Sequence, residues 1–433
     1  MKLTQMLSAD QLEIGMYVAQ LDRPWLETPF LFQGFYIRDS DEIQEIKSYC
    51  EHVYVSCDSL SSDCRSETTA EGTVPDGTVA TVPDKKRFSI RSLFKRGKSL
   101  EPDRDIEQTN VIYDDTTSLK NEIKTASGIH KQAIVTVQGV MDNLKKSGNL
   151  QVGQLESAVT PMVDSVLRNP AALACLIRMQ TKNDYLYHHS LASSVWATIL
   201  GRQIGLGRAD LDVIALGAML LDVGKTQVPD EILMKPNKLD EGQRRLMQRH
   251  VQFGLDILDK AGNVDTRVLD MVAHHHERYN GTGYPAHLKG NDIPVFGRIA
   301  GIVDAYDAMI TLRPYAKLLS SYDALRKLRV LADVEFQAEI VDQFTKAIGA
   351  FPTGTLVELN TGEIAIVTKQ NRIRRLRPEV MLIMDSKKQM LAEFRVLDLN
   401  EETVTQLGEH SLWIERGLPP GEHGIDPTEF YLN

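Results

Sequence analysis

Histidines and acids that could bind metal are concentrated in the middle of the 433-residue chain. Three consecutive imidazoles and a carboxylate, His274-His275-His276-Glu277, run directly into a glycine-rich turn that ends in Tyr284-Pro285. Histidine is the commonest neutral metal ligand and titrates near neutral pH. A cluster of imidazoles before a flexible loop therefore predicts chemistry beside a substrate entrance.

Two aspartates at apolar positions extend this set. Asp222 follows the apolar run 215–221, and Asp304 interrupts the apolar segment 299–305. A carboxylate buried among such residues needs a partner, and a metal ion would supply one. Histidine and aspartate ligands around divalent ions are the usual construction for metal-assisted hydrolysis. The candidate ligands are His188, His189, His250, His274, His275, His276, Asp222 and Asp304.

Segments of helical periodicity must position these residues. Apolar residues recur at three- and four-residue steps between residues 116 and 146 and again between 155 and 167. From 155 to 350 further helical segments are separated by turns that contain glycine or proline. The pattern predicts an all-helical domain over 155–350, preceded at 111–154 by an amphipathic connecting helix that needs a packing partner.

The regions on either side of the helical domain have different patterns. Residues 1–60 mix short strand-like runs with one helical segment, which predicts a small α+β module. Residues 61–110 are rich in Ser, Thr, Pro, Gly and charge, typical of a flexible linker. Residues 351–433 contain short strand-like runs joined by turns, so this C-terminal segment is predicted to be β-rich. The predicted fold is therefore mainly α, with one small module at each end.

Charge and hydropathy exclude several classes of function. The net charge of −10 argues against broad, non-specific binding of DNA or RNA polymers, while a local basic pocket could still bind a phosphate. No apolar run is long enough to cross a bilayer, and the first residues lack the apolar core of a signal peptide. We therefore expect a cytoplasmic protein without a transmembrane segment.

A longer signature runs in order through the helical region: Asp222-Val223-Gly224-Lys225, His250, His275-His276-Glu277, Gly281-Thr282-Gly283-Tyr284-Pro285, Asp304 and Arg313-Pro314-Tyr315. Over about 155–350 this signature resembles that of the HD-GYP family, a branch of the HD phosphohydrolases that hydrolyses the bacterial second messenger cyclic di-GMP. Residues 13–58 resemble the uncharacterised domain that often precedes HD-GYP domains.

The resemblance implies roles for individual residues. It implies that Asp222 bridges two ions and that Lys225, beside the attacking water, stabilises the phosphate or the leaving oxygen. It implies that Glu277 orients an imidazole from the second shell of the site. The implied metal ligands are His189, Asp222, His250, His275, His276 and Asp304. The implied substrate contacts are Gly283, Tyr284, Pro285, Arg313 and Lys317.

Three departures from the family pattern qualify these roles. Leu221 stands where the family has the histidine of its His-Asp pair, and leucine cannot bind a metal. Tyr185 stands where some members have a glutamate that recruits a third ion, and Ala316 replaces a common basic residue. We therefore expect two divalent ions at most, iron or manganese, with one of them weakly held or absent because of Leu221.

Two functions remain open at this level. The first is a metal-dependent phosphodiesterase that converts cyclic di-GMP to pGpG, GMP or both. The second is a degenerate HD-GYP module that binds the nucleotide or a signalling protein as a regulator. The residue that suggests this second function is Leu221. His188 and His274 could substitute for the missing ligand, although a structural role is the preferred interpretation of both. The connecting helix is a candidate contact for a homodimer.

Overall fold

A computed structural model describes residues 4–23, 25, 28, 30, 35–37, 40–56, 111–178, 185–235, 237–311, 318–371, 374–400, 412–425 and 427–430. The chain divides into two compact units, one formed by residues 1–89 with 371–377 and the other by residues 90–370 with 378–433. Within the described ranges, none of the helices has both the length and the apolar character that a bilayer crossing requires.

The first unit contains a small antiparallel sheet with one helix. The sheet order is β1-β4-β2-β3, so β4 lies inside the sheet. Val53 and Val55 of β4 are fully buried together with Ile46 of the helix, because alternate strand residues face the core. The elements are β1 (Thr4–Ser8), β2 (Tyr17–Leu21), β3 (Phe35–Tyr36), α1 (Ser40–Tyr49) and β4 (His52–Ser56).

The second unit begins with twelve described helices. The helices are α2 (Leu119–Ser147), α3 (Val152–Arg168), α4 (Pro170–Arg178), α5 (Tyr185–Gln203), α6 (Arg208–Leu220), α7 (Asp230–Leu233), α8 (Glu241–Gln248), α9 (His250–Ala261), α10 (Thr266–His274), α11 (Val295–Ile310), α12 (Ser321–Val330) and α13 (Ala338–Ile348). A short 3-10 turn, Val223–Gln227, follows α6. This order confirms the helical domain that the apolar periodicity predicts.

Helix α5 lies at the centre of this bundle. Its residues 189–201 are buried on every side of the helix, which is typical of a core helix rather than a surface one. The ring of Trp196 packs edge-on against Tyr306 of α11 at 5.4 Å between centroids, and Tyr306 packs against Phe344 of α13 at 5.0 Å. Any polar side chain within residues 189–201 is therefore enclosed and needs polar partners.

Helix α2 packs its apolar stripe within its own chain. Ala126, Val137 and Val140 are buried against α3, α4 and α5. The buried carboxylate of Glu122 also accepts two hydrogen bonds from the Arg168 guanidinium at the end of α3, at 2.7 and 2.9 Å. The packing partners that an amphipathic helix needs are therefore other helices of the same chain. A homodimer through this helix stays a prediction, and it would have to use the polar face.

The C-terminal part of the second unit is a five-stranded antiparallel sheet of order β8-β7-β6-β5-β9. Ile364 and Ile366 of β6 are fully buried in a core shared with Ile383. The fold-class prediction is confirmed, whereas the individual domain boundaries remain predictions. The strands are β5 (Leu356–Leu359), β6 (Ile364–Lys369), β7 (Glu379–Met384), β8 (Met390–Asp398) and β9 (Ile414–Gly417).

Gly224 allows the turn after α6 to pack directly on the start of α9. A Cβ atom at this position would collide with the carbonyl oxygen of His250 and the amide nitrogen of Gly254. Both collisions are with backbone, which cannot rotate away. This contact fixes the spacing between Asp222 and His250, since each lies next to one of the touching segments.

We expect Gly224→Ala to lower the free energy of unfolding by about 2–3 kcal/mol, the usual cost of overpacking a tight contact. Urea denaturation followed by circular dichroism measures the change. The matched control is Gly139→Ala, which lies in the exposed middle of α2 with open space around it. That variant should gain about 0.5–1 kcal/mol from helix propensity. Equal effects of the two substitutions would contradict the role of Gly224.

Candidate metal centre

Six elements bring the predicted ligands and Lys225 together at one buried place. All of these side chains are buried except those of His276 and Lys225, each with 16% of its side chain exposed. His189 lies on α5, Asp222 directly follows Leu221 after α6, Lys225 lies in the 3-10 turn, His250 begins α9, His275 and His276 follow α10, and Asp304 lies on α11.

One group of ligands, here called the histidine half-site, consists of Asp222, His250, His275 and His276. One nitrogen or oxygen from each lies within 4.8 Å of the others. The Nδ1 atoms of His250 and His275 lie 2.7 and 2.9 Å from backbone carbonyls, so these nitrogens carry the protons. The two Nε2 lone pairs therefore face each other at 3.2 Å.

An unsatisfied carboxylate oxygen completes this half-site. Asp222 Oδ1 is buried and accepts no hydrogen bond from the residues that the structure describes, and it lies 3.5 Å from His250 Nε2 and 4.0 Å from His275 Nε2. Burial lowers the pKa of His250 to about 4 and also lowers the pKa of His275, so both imidazoles are neutral at physiological pH. Lone pairs that converge without a proton between them fit a divalent cation.

The third imidazole is held by the loop that follows it. His276 stacks on the ring of Tyr284 at 4.6 Å with an interplanar angle of 27°, and its carbonyl accepts from the Tyr284 amide at 3.2 Å. Burial, together with His275 nearby, lowers the pKa of His276 well below its usual value. Tyr284 thus fixes the plane of a neutral imidazole whose Nδ1 lies 4.0 Å from Asp304 Oδ2.

The other group, here called the aspartate half-site, consists of His189, Asp222 and Asp304. His189 Nε2 lies 3.1 Å from Asp304 Oδ1 and 3.4 Å from Asp222 Oδ2. Asp222 Oδ2 also accepts from Lys225 Nζ at 2.5 Å. Burial alone would lower the pKa of His189, but hydrogen bonds to Asp304 and Asp307 raise it to about 9. Leu221, beside this group, is buried and contributes no polar atom.

Asp307 belongs to the centre, although it was not among the sequence-derived candidates. Its Oδ2 lies 2.6 Å from His189 Nδ1, and its Oδ1 accepts from Trp196 Nε1 at 3.0 Å. A carboxylate on the far nitrogen of a ligating imidazole fixes the orientation of the ring. The sequence feature that could have indicated Asp307 was its spacing from Asp304. Residues three apart on a helix share a face, and Asp307 follows Asp304 by three.

The structure gives Glu277 a different role from the predicted one. Its two carboxylate oxygens accept hydrogen bonds from the backbone amides of Ala286 at 2.7 Å and Leu288 at 3.1 Å. Neither oxygen bonds an imidazole within the described part of the chain. Glu277 therefore holds the loop after the histidines, and the carboxylate that orients an imidazole is Asp307. The prediction for Glu277 was wrong because sequence order does not show which way a side chain points.

The remaining candidates lie elsewhere or outside the described residues. His274 bonds the Asp270 carbonyl through Nδ1 at 2.9 Å, and neither it nor His188 belongs to either half-site. Gly283 packs tightly against the backbone of its own loop. A Cβ atom at this position would collide with the His276 carbonyl oxygen and the Arg278 amide nitrogen. Arg313, Ala316 and Lys317, like the side chain of Tyr185, lie outside what the structure describes.

Comparison with known families accounts for this arrangement. Residues 173–340 match the HD domain, residues 4–155 match a domain of unknown function, and residues 356–406 match a KOW domain associated with the HD domain. The HD match contains every ligand of both half-sites. The chain belongs to the HD-GYP family.

Three relatives carry related names. A cyclic di-GMP phosphodiesterase of Pseudomonas aeruginosa is 28% identical over 391 residues, covering 90% of this chain and 87% of that protein. A cyclic di-GMP phosphodiesterase response regulator of Xanthomonas campestris is 34% identical, covering 37% of this chain and 44% of that protein. A 3'3'-cGAMP-specific phosphodiesterase of Vibrio cholerae is 34% identical, covering 36% of this chain and 30% of that protein. The chain thus spans less than half of the last two.

The shifted pKa values predict that the ion-free HD-GYP chain is most stable near pH 6.5. Below that pH the unfolded chain protonates His250 while the folded chain keeps it neutral, so stability falls as the pH drops towards about 4. The raised pKa of His189 stabilises the fold below pH 6.5, and this contribution is lost as the pH rises through about 9. Urea denaturation in chelator across this range measures both slopes.

Two variants separate these slopes. His189→Gln should flatten the alkaline loss and leave the acid side unchanged. His250→Gln should leave the alkaline side unchanged and make the acid loss smaller, because the lowered pKa values of His275 and His276 still contribute to it. A profile that rises steadily to pH 9 would contradict the contribution of His189.

For Glu277→Gln we expect a fall in the free energy of unfolding of about 1–3 kcal/mol, because one acceptor is replaced by a donor that faces a backbone N–H. Affinity for Mn²⁺, measured by calorimetry, should stay within a factor of about 3, since Glu277 bonds no ligand. The matched control, Glu339→Gln, changes an exposed acid and should alter neither quantity. Weaker ion binding with unchanged stability would restore the imidazole-orienting role.

Proposed function

We propose that this chain is a metal-dependent phosphodiesterase that hydrolyses cyclic di-GMP to pGpG, GMP or both. The observation that carries the proposal is the convergence of Asp222 Oδ1 with two imidazole lone pairs at one buried point. The names of the relatives support the nucleotide class, and the relative covered over most of its length is named as a cyclic di-GMP phosphodiesterase. Iron and manganese are the proposed ions, two at most.

The side chains around this point have separate tasks in the proposed reaction. His250, His275, His276 and Asp222 would hold an ion, which when bound polarises the phosphoryl group and supplies a nucleophile at neutral pH. Their neutral imidazoles need lose no proton to act as ligands. The Tyr284 ring covers one face of His276 and limits the access of bulk water.

Lys225 is the cation placed to act on the substrate. Its ammonium lies 2.5 Å from Asp222 Oδ2, and the Lys225 side chain as a whole is 16% exposed, so it is not sealed inside the core. An ammonium fixed in this way can donate to a phosphoryl oxygen or to the leaving oxygen as negative charge develops there. We assign Gly283, Tyr284 and Pro285 to the wall of the nucleotide site, with Arg313 and Lys317 as phosphate or guanine contacts.

A degenerate binding module is the second candidate, and Leu221 favours it. A chain that has lost one ligand could retain the nucleotide site and act on signalling proteins without cleavage. Turnover separates the two candidates, because only the phosphodiesterase yields pGpG or GMP.

We expect the Mn²⁺- or Fe²⁺-loaded protein to convert cyclic di-GMP to linear products, with 3'3'-cGAMP offered as the competing substrate. Asp222→Asn should lower kcat by at least about 100-fold, since it removes the ionised oxygen that faces the imidazoles. The matched control is Asp230→Asn, an exposed acid at the start of α7, which should leave kcat unchanged. Chromatography of the nucleotides measures both.

Binding of cyclic di-GMP without any product would contradict the phosphodiesterase and support the module. Product formation that disappears in Asp222→Asn would instead exclude the module.

A further inference from the structure

We propose that this centre holds a single ion in the histidine half-site and that Lys225 and His189 fill the aspartate half-site in place of a second ion. The inference rests on the proposed function only in taking the centre to bind a divalent ion. The two half-sites share the carboxylate of Asp222, yet the histidine half-site is assigned an ion and the aspartate half-site is assigned none.

The first argument is the supply of ligands. The histidine half-site has three imidazoles and one carboxylate oxygen within 4.8 Å of one another, enough for a complete four-coordinate shell. Among the described residues, the aspartate half-site consists of His189, Asp222 and Asp304, and the position next to Asp222 is Leu221, which is 1% exposed and has no lone pair. The two halves therefore differ by one donor at the position that the HD motif supplies.

The second argument is that the aspartate half-site already has its hydrogen bonds. Asp222 Oδ2 accepts from Lys225 Nζ at 2.5 Å, and Asp304 Oδ1 lies 3.1 Å from His189 Nε2. An ion placed there would break both contacts and would stand beside the Lys225 ammonium. In the histidine half-site no described residue donates a hydrogen bond to Asp222 Oδ1, so an ion satisfies an atom that is otherwise buried at a cost.

The third argument is the way in which His189 is held. Asp307 Oδ2 lies 2.6 Å from His189 Nδ1, and Asp307 is itself fixed by Trp196 Nε1 at 3.0 Å. This places His189 Nε2 between Asp304 and Asp222 Oδ2, and turns Asp222 Oδ1 towards His250 and His275. His189 is thus a positioning residue for the carboxylate that serves the ion, and it becomes a metal ligand only when a histidine at position 221 completes the aspartate half-site.

Metal content per folded chain tests the stoichiometry without any substrate. The full-length protein is loaded with Mn²⁺, freed of excess ion and measured by mass spectrometry and electron paramagnetic resonance. We expect about one Mn²⁺ per chain and the six-line spectrum of an isolated ion. Leu221→His should bring the content to about two and give a spin-coupled spectrum. The control Leu221→Ala, which opens space without a ligand, should stay at about one.

Two further variants locate the ions. In the native background, His250→Gln should lose the ion, whereas Asp304→Asn should retain it. In the Leu221→His background, Asp304→Asn should remove only the second ion. Circular dichroism checks that each variant is folded. If a variant is not folded, the Mn²⁺ content of the native protein alone decides between one ion and two.

The outcomes separate this inference from the proposed phosphodiesterase. Two ions in the native protein, no ion at all, or loss of the ion in Asp304→Asn but not in His250→Gln would overturn the inference. An active enzyme with two ions overturns the inference and keeps the phosphodiesterase. One ion with no turnover of cyclic di-GMP keeps the inference and overturns the phosphodiesterase.

Discussion

The two oxygens of one buried carboxylate set the arrangement of the whole centre. Asp222 lies directly after a helix that is buried to its last residues, so its charge enters the core and must be balanced there. Burial would raise the pKa of this carboxyl, but Lys225 and His189 lower it, so the group stays ionised. One oxygen is satisfied by an ammonium of the same turn, and the other is turned towards neutral imidazoles. The charge balance of the site follows from this division.

The scaffold beneath Asp222 works through a series of buried contacts. Trp196 donates to Asp307, and Asp307 orients His189. The Arg178 guanidinium lies 4.9 Å above the ring of Trp196 and donates to the Thr353 carbonyl at 3.4 Å, just before the first strand of the C-terminal sheet. A cation over an indole inside the protein is a favourable contact when desolvated. Arg178 therefore links the backbone just before the C-terminal sheet to the same tryptophan that bonds Asp307.

Sequence patterns predicted the gathering of the ligands better than the direction of individual side chains. The helical periodicity predicted the mainly α fold, and the ordered motifs carried the family resemblance. Neither pattern revealed Asp307, because a carboxylate in an apolar helix looks the same whether it faces a ligand or a neighbouring helix. The role of Glu277 was missed for a related reason. Its hydrogen bonds to the amides of Ala286 and Leu288 depend on the conformation of the loop 278–288, which the sequence does not show. Hydrogen bonds between residues distant in sequence leave no periodic signal.

Leu221 acts on its surroundings as well as removing a ligand. An apolar side chain beside Asp222 excludes water from that side and lowers the local polarity, which strengthens the attraction between the Asp222 carboxylate and the Lys225 ammonium. Stronger pairing makes Lys225 harder to displace, so in the proposed single-ion centre Leu221 would also stabilise the group that stands in place of the second ion. For the same reason, a histidine at 221 would do more than add a nitrogen. It would weaken the competing ion pair at the same time, so the effects of changing Leu221 and Lys225 together should not be additive.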